Sequence, residues 1–278
     1  MTWKYTDEYY REYTRTTWNE SADVYVELMQ QLEPFRQDLV RRLAPREGER
    51  ILDIATGPGE PALTVARLVG AKGHVTGVDL SEEMVRLARE VAQRRGLPNV
   101  DFQVQDAEKL TLPDRSFDAA LSAFGLQIVT DPEKAAQEAF RVLKPGGRFA
   151  VSVWSTGDKV PAIHWIIGPM LEHAEPDENG YIPTPYELGG DGEMIAFLQK
   201  AGFRDVREDR VTHTAPFKDE EDYLSVVMKA SPIGHSLREE TPEVQREVLR
   251  KTRENLQRWK TPGGLRIPGE AVVVTARK

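Results

Sequence analysis

Three carboxylates recur along the chain at nearly constant spacing: Asp53, Asp79 and Asp106, 26 and 27 residues apart. Each closes a short apolar run, I-L-D-I-A, H-V-T-G-V-D and V-D-F-Q-V-Q-D-A. One strand–helix–strand unit of a parallel sheet has this period. The carboxyl ends of parallel strands share one edge, so the three side chains are expected to line one crevice. Ionised carboxylates accept from hydroxyls and amines and attract cations, which suits a ligand carrying those groups. Thr56-Gly57-Pro58-Gly59 follows the first of these strands. Glycine there lets the backbone approach a ligand where a Cβ would collide. Pro61 suits the first position of the following helix.

Groups able to move a proton are fewer. His164 is the candidate base, because it opens a segment expected to cover the site. His173, His213 and His235 have no diagnostic context. No His/Asp/Glu cluster has metal-ligand spacing, so no metal is expected. The chain has no cysteine, hence no disulfide and no thiolate chemistry.

The elements that must position these groups follow from periodicity. Strands are expected at 50–55, 74–79, 100–105, 117–122, 149–154, 204–214 and 271–276. Between the second and third, Met84, Val85, Ala88, Val91 and Ala92 form one helical face, with Ser81 as N-cap. Asp131-Pro132 opens a further helix that Lys144-Pro145-Gly146-Gly147 should end. Residues 21–44 read as an amphipathic helix interrupted near Pro34. Helices are also expected near 160–173, 192–201, 219–230 and 242–259. This is an α/β fold: a Rossmann-like, seven-stranded, mostly parallel sheet with helices on both faces, plus a helical lid.

Composition narrows the classes. The 278 residues carry 37 Lys and Arg against 45 Asp and Glu, a net charge of −8, with no basic stripe interleaved with aromatics. A nucleic-acid partner is therefore not expected. No apolar run is long enough to span a membrane, and M-T-W-K-Y-T-D-E lacks a signal-peptide core, so a cytoplasmic location is expected.

Four stretches carry a resemblance: I-L-D-I-A-T-G-P-G-E-P-A-L, V-T-G-V-D-L-S-E-E-M-V-R-L-A-R, V-Q-D-A-E-K-L-T-L-P-D-R-S-F-D-A-A-L-S and R-V-L-K-P-G-G-R-F-A-V-S-V-W. Over residues 46–154 the chain resembles class I S-adenosylmethionine-dependent methyltransferases, near the ubiquinone/menaquinone-biosynthesis subgroup. It departs at Ala55-Thr56, where Gly-Cys or Gly-Ser is commoner. The resemblance implies S-adenosyl-L-methionine as cofactor and a small-molecule acceptor. It implies that Ala55, Gly57 and Gly59 lie against the methionine portion and that Asp53 orders the loop and the amino end. Asp79 would take the ribose hydroxyls, Leu80 and Met84 would flank the adenine, and Asp106 with the Ala107 N–H would meet its edge. Ser122 would face the reacting centre. Residues 46–154, 191–215 and 263–278 would form the cofactor core, residues 1–45 a helical cover, and 155–190 with 216–262 a lid or an oligomerisation surface; the oligomeric state is left open. Tyr9, Tyr13 and Trp18 would fold over the cofactor or staple the first helix. Trp165, Tyr181 and Tyr186 would line the acceptor pocket or fill the lid.

Two other readings stand beside this one. Gly57, Gly59 and Ala62 satisfy G-x-G-x-x-A, and Asp79 lies 20 residues after Gly59, as an NAD(P)-dependent dehydrogenase would require. That reading does not account for Asp106-Ala107 or for Lys144-Pro145-Gly146-Gly147. A non-catalytic cofactor-binding protein is the second.

Overall fold

A computed structural model describes residues 7–173, 184–230 and 232–278. Tyr181 and the side chain of Tyr9 lie outside what is described. Within these residues one mixed sheet has the order β3-β2-β1-β4-β5-β8-β6. Its strands are β1 (Arg50–Ile54), β2 (His74–Asp79), β3 (Val100–Val104), β4 (Phe117–Ala123), β5 (Leu143–Trp154), β6 (Arg204–Phe217) and β8 (Gly264–Arg277). A two-residue β7 (Lys260–Thr261) pairs only with β8, an eighth strand beyond the seven expected. Strands β1 to β5 are parallel, and β8 enters antiparallel between β5 and β6.

Ile51, Leu52, Asp53 and Ile54 are all buried, as expected of a strand covered on both faces. One face packs on α4 (Pro132–Val142) and α6 (Glu193–Lys200) through Ala135, Ala139, Met194 and Leu198. The other packs on α2 (Ala62–Val69), α3 (Glu82–Arg94) and the C-terminal part of α1 (Asp7–Leu43) through Leu63, Val85, Leu39 and Leu43. The expected caps are present: Ser81 accepts from the Met84 N–H, and Asp131 from the Lys134 N–H. Pro61 stands at the cap of α2, one residue before the expected position.

Three expectations are corrected. The helix expected at 21–44 with a break is one helix of 37 residues, α1, with Pro34 inside it. A proline has no N–H to give to Gln30, but burial of Leu32, Phe35, Leu39 and Leu43 along one side outweighs one lost bond. Helix α4 does end just ahead of Lys144-Pro145-Gly146-Gly147, but β5 begins at Leu143 rather than at 149, so this stretch lies inside the strand, where the register with β4 slips between Phe117 and Ala119. Finally, β6 and β8 run past the limits expected for them, with Pro216 and Pro268 inside them. β8 has there passed the last residue that pairs with β5, and β6 is an edge strand, so both prolines sit where a missing N–H is tolerated.

These extensions carry Phe217, Leu265 and Ile267 into a second core. Helices α5 (Pro161–Leu171), α7 (Glu220–Ala230), α8 (Pro232–Glu239) and α9 (Pro242–Leu256) complete it with Ile166, Tyr223, Leu237 and Val248. Trp165 packs near Trp259 in this core, their centroids 6.2 Å apart.

Candidate functional site

The carboxyl edge of the sheet, the N-terminal half of α1 and the helices α5, α7 and α8 enclose one cavity of about 650 Å³. Ala55, Gly57, Asp79, Leu80, Met84, Asp106 and Ala107 line one end of it. The carboxylate row read from the spacing therefore does converge, but its members stand at different depths. Asp53 and Gly59 lie behind the wall, and so does Ser122, whose hydroxyl donates to the Ile54 carbonyl at 2.9 Å.

Asp53 is fully buried. Its Oδ2 accepts from Thr56 Oγ1 at 2.8 Å and from the Ala62 N–H at 3.1 Å, tying the glycine loop to the start of α2. Its Oδ1 is buried without a partner. Burial pushes this carboxyl up to about 7, against the two hydrogen bonds, which lower it. Asp79 Oδ2 accepts from the Gly57 N–H at 2.8 Å and Oδ1 from the Ser81 N–H at 3.0 Å. Burial raises its carboxyl too, opposed by the Ser81, Gly57 and Leu80 N–H groups. Each oxygen retains lone pairs for a ligand.

The two glycines differ. Gly57 has φ +55°, and a Cβ there would meet only Tyr25 Cε1, at 3.9 Å. Gly59 has φ +107°, and a Cβ would fall 2.9 Å from Leu63 Cδ1 and 3.3 Å from Ala88 Cβ. The first keeps space open toward the cavity; the second allows loop and helix to pack.

Asp106 lies two residues past the end of β3, in the turn. Its Oδ1 accepts from the Glu108 N–H at 2.9 Å, and Arg11 of α1 pairs with Oδ2 at 2.9 Å and with Glu108. Tyr10, Tyr13, Trp18 and Tyr25 of α1 also line the cavity. Trp18 meets Tyr25 edge-on at 5.0 Å, and its indole N–H is buried with no hydrogen-bond partner among the described residues.

The other end of the cavity is aromatic. Phe124 stacks on Trp154 with centroids 4.3 Å apart, and Phe35 stands edge-on to both. Ile163 and Ile167 of α5, Val227 of α7 and Ile233 of α8 close this end. His164 is not in the wall: it packs against Gly157, Gly168 and Tyr186. Trp165 and Tyr186 are outside the wall as well. His173 and His235 pair with glutamates, His173 with Glu247 and His235 with Glu20 and Glu239. His213 does line the cavity, and its Nε2 is 2.6 Å from Asp38 Oδ2. The readable signal for it was alternation: Val211, His213, Ala215 and Phe217 share the covered face of β6. Arg11, Phe35 and Asp38 carried no such signal, since each meets the site only through the path of α1. Among the described residues no metal-holding group of His, Asp or Glu occurs, and no helix is long and apolar enough to cross a membrane.

A family model described as a methyltransferase domain matches residues 45–181. The ubiquinone/menaquinone biosynthesis C-methyltransferase of Edwardsiella ictaluri is 34% identical over 179 residues, 60% of this chain and 71% of that enzyme. The protein of the same name from Serratia proteamaculans is 43% identical over 111 residues, 40% of this chain, so that the match spans only 44% of that relative's length. The crystal structure of a putative methyltransferase from Bacillus halodurans superposes with a TM-score of 0.61 at 23% identity, over 87% of this chain and 98% of that one. At that identity the likeness shows the fold.

Proposed function

Because the chain belongs to the class I S-adenosylmethionine-dependent methyltransferases, we propose that the carboxyl-edge end of the cavity holds the cofactor and the aromatic end an apolar, aromatic small molecule. The activity is methyl transfer from S-adenosylmethionine, and the dehydrogenase alternative is not favoured. The cavity fits that cofactor: the wall offers the Asp79 carboxylate, open space at Gly57 and an unpartnered indole N–H. Asp79 would take the ribose hydroxyls, Leu80 and Met84 would flank the adenine, and Asp106 with the Ala107 N–H would receive its edge. Ala55 and Gly57 would lie along the methionine portion. Asp53, Gly59 and Ser122 act from behind by holding the loop and β4 in place.

When bound, the cofactor supplies an electrophilic methyl group on a sulfonium. The residues of the chain then have to align the acceptor, exclude water and favour positive charge. Alignment and exclusion of water supply most of the acceleration in such a displacement. The faces of Trp18 and Tyr25 favour a cation by their quadrupoles. Helices α5 and α7 to α9 serve as the lid, and the N-terminal half of α1 as the cover.

The observation that carries the acceptor class is the Phe35–Phe124–Trp154 cluster continuous with the carboxylate end in one cavity. The role of the relatives in ubiquinone and menaquinone biosynthesis fits an acceptor of that class. Mass spectrometry after incubation with S-adenosylmethionine and two acceptor sets tests it, one of alkylated phenols and naphthols, the other of amino acids and polyamines. Methylation should be confined to the aromatic set; methylation of the charged set alone would overturn the reading.

A further inference from the structure

We propose that His213, oriented by Asp38, is the base that takes the acceptor's proton. The inference rests on the acceptor occupying the aromatic end of the cavity. His213 lies on β6 opposite Gly269 of β8, and both line that end. Phe35 stands edge-on to the imidazole with centroids 4.8 Å apart, and the same Phe35 contacts Phe124 and Trp154. Phe124 directly follows β4, which pairs with β1, the strand that leads into the glycine loop. The histidine thus stands beyond the ring cluster, on the side where an acceptor rather than the cofactor would reach it.

Asp38 decides the tautomer. Its side chain is nearly buried, its Oδ2 meets His213 Nε2 at 2.6 Å, and its Oδ1 takes Arg41 at 2.8 Å and Arg42 at 3.1 Å. Burial works to raise this carboxyl, but the His213 hydrogen bond and the two arginines outweigh it and hold it below the usual carboxylate value. An ionised carboxylate can only accept, so in the neutral form of the ring the proton sits on Nε2 and the lone pair on Nδ1. No hydrogen bond to Nδ1 exists among the described residues. The other charges around the ring are accounted for: Asp209 of β6 pairs with Arg42, and Glu270 of β8 is turned to Ser155 and Arg210. From β5 the neighbour is the uncharged Trp154.

The step balances. The acceptor's O–H or acidic C–H bond breaks, its proton goes to Nδ1, and the electron pair stays on the acceptor atom. That atom bonds to the methyl carbon as the carbon–sulfur bond breaks, and the pair of that bond leaves on sulfur. Asp38 stabilises the imidazolium, which returns its proton to water. A base so placed contributes about 10²- to 10⁴-fold. Asp38 is the positioning residue of the pair.

The test uses the full chain labelled with 15N-histidine and saturated with S-adenosylhomocysteine, with 2-naphthol as acceptor probe. Long-range proton–nitrogen NMR at pH 8.5 should show His213, assigned through His213→Gln, with its proton on Nε2. Asp38→Ala should let the two tautomers mix. Bound 2-naphthol should shift the Nδ1 resonance and absorb as naphtholate. In His213→Gln it should still bind within about threefold but absorb as the neutral phenol. A ring protonated on Nδ1 would overturn the inference, and so would bound 2-naphthol that leaves His213 and its own ionisation unchanged. Failure of 2-naphthol to bind at all would strike the acceptor reading, and this inference with it.

Discussion

The guanidinium of Arg11, in the second turn of α1, lies 2.9 Å from the Asp106 carboxylate in the turn after β3. The same guanidinium reaches Glu108, whose side chain is only 3% exposed. This pair of contacts fastens the first turns of α1 across the mouth of the cavity.

Arg11→Ala should therefore release the first turns of α1 and leave the sheet intact. Removing one partner of a nearly buried carboxylate costs about 1–3 kcal/mol, and among the described residues Glu108 keeps only the Asp131 N–H. Amide exchange over residues 8–20 should accelerate at least tenfold, with α4 unchanged. Equal protection in the two proteins would mean that Arg11 fastens nothing.

Substitutions at the two loop glycines should separate binding from folding. Gly59→Ala sets a Cβ against Leu63 and Ala88 at a φ that side chains rarely adopt, at a cost of about 2–4 kcal/mol of stability. Gly57→Ala meets nothing closer than 3.9 Å, so it should cost about 1 kcal/mol or less, yet weaken S-adenosylhomocysteine at least tenfold. Urea unfolding and calorimetry read the two quantities. Similar profiles for both variants would remove the distinction.

Asp53 should make the ligand-free protein less stable as pH rises. Its carboxyl has an ordinary value of 3.8 in the unfolded chain and is pushed up to about 7 by burial in the fold. Below 3.8 both states hold the proton and the fold bears no penalty. Between these values the unfolded chain ionises first, so stability falls with pH and the loss is complete above 7. Asp53→Asn keeps an acceptor for Thr56 and Ala62 and cannot ionise. Relative to wild type it should gain on the order of 4 kcal/mol at most between pH 4 and pH 8. Asp79 is raised by burial as well, so the variant should retain a weaker slope. Parallel urea curves for the two proteins across this range would show that Asp53 does not titrate there.

How much of this was legible depends on whether a group and its partner share a local motif. Asp79, the glycine loop and the cap at Ser81 lie within one strand–helix–strand unit, and spacing alone brought them together. Asp38 and His213 stand 175 residues apart and meet because α1 runs unbroken past Pro34 and lays Asp38 alongside β6. The proline in α1 reads as a break, whereas burial along α1 makes it tolerable, as the edge positions of β6 and β8 do for Pro216 and Pro268. His164 looked nearer to chemistry because its segment was expected to cover the site. The fold turns it instead into the packing of Gly157 and Gly168.

The unbroken course of α1 has a thermodynamic consequence. A helix of 37 residues is about 55 Å long. It carries Arg11 at the carboxylate end of the cavity and Asp38 behind His213 at the other. One rod thus borders both ends of the cavity, and with cofactor and acceptor at those ends as proposed, a displacement of the rod that tightens one site would alter the other. The affinities of the two ligands are then coupled, and thermodynamics makes that coupling equal in both directions: whatever factor the first ligand adds to the second, the second returns to the first.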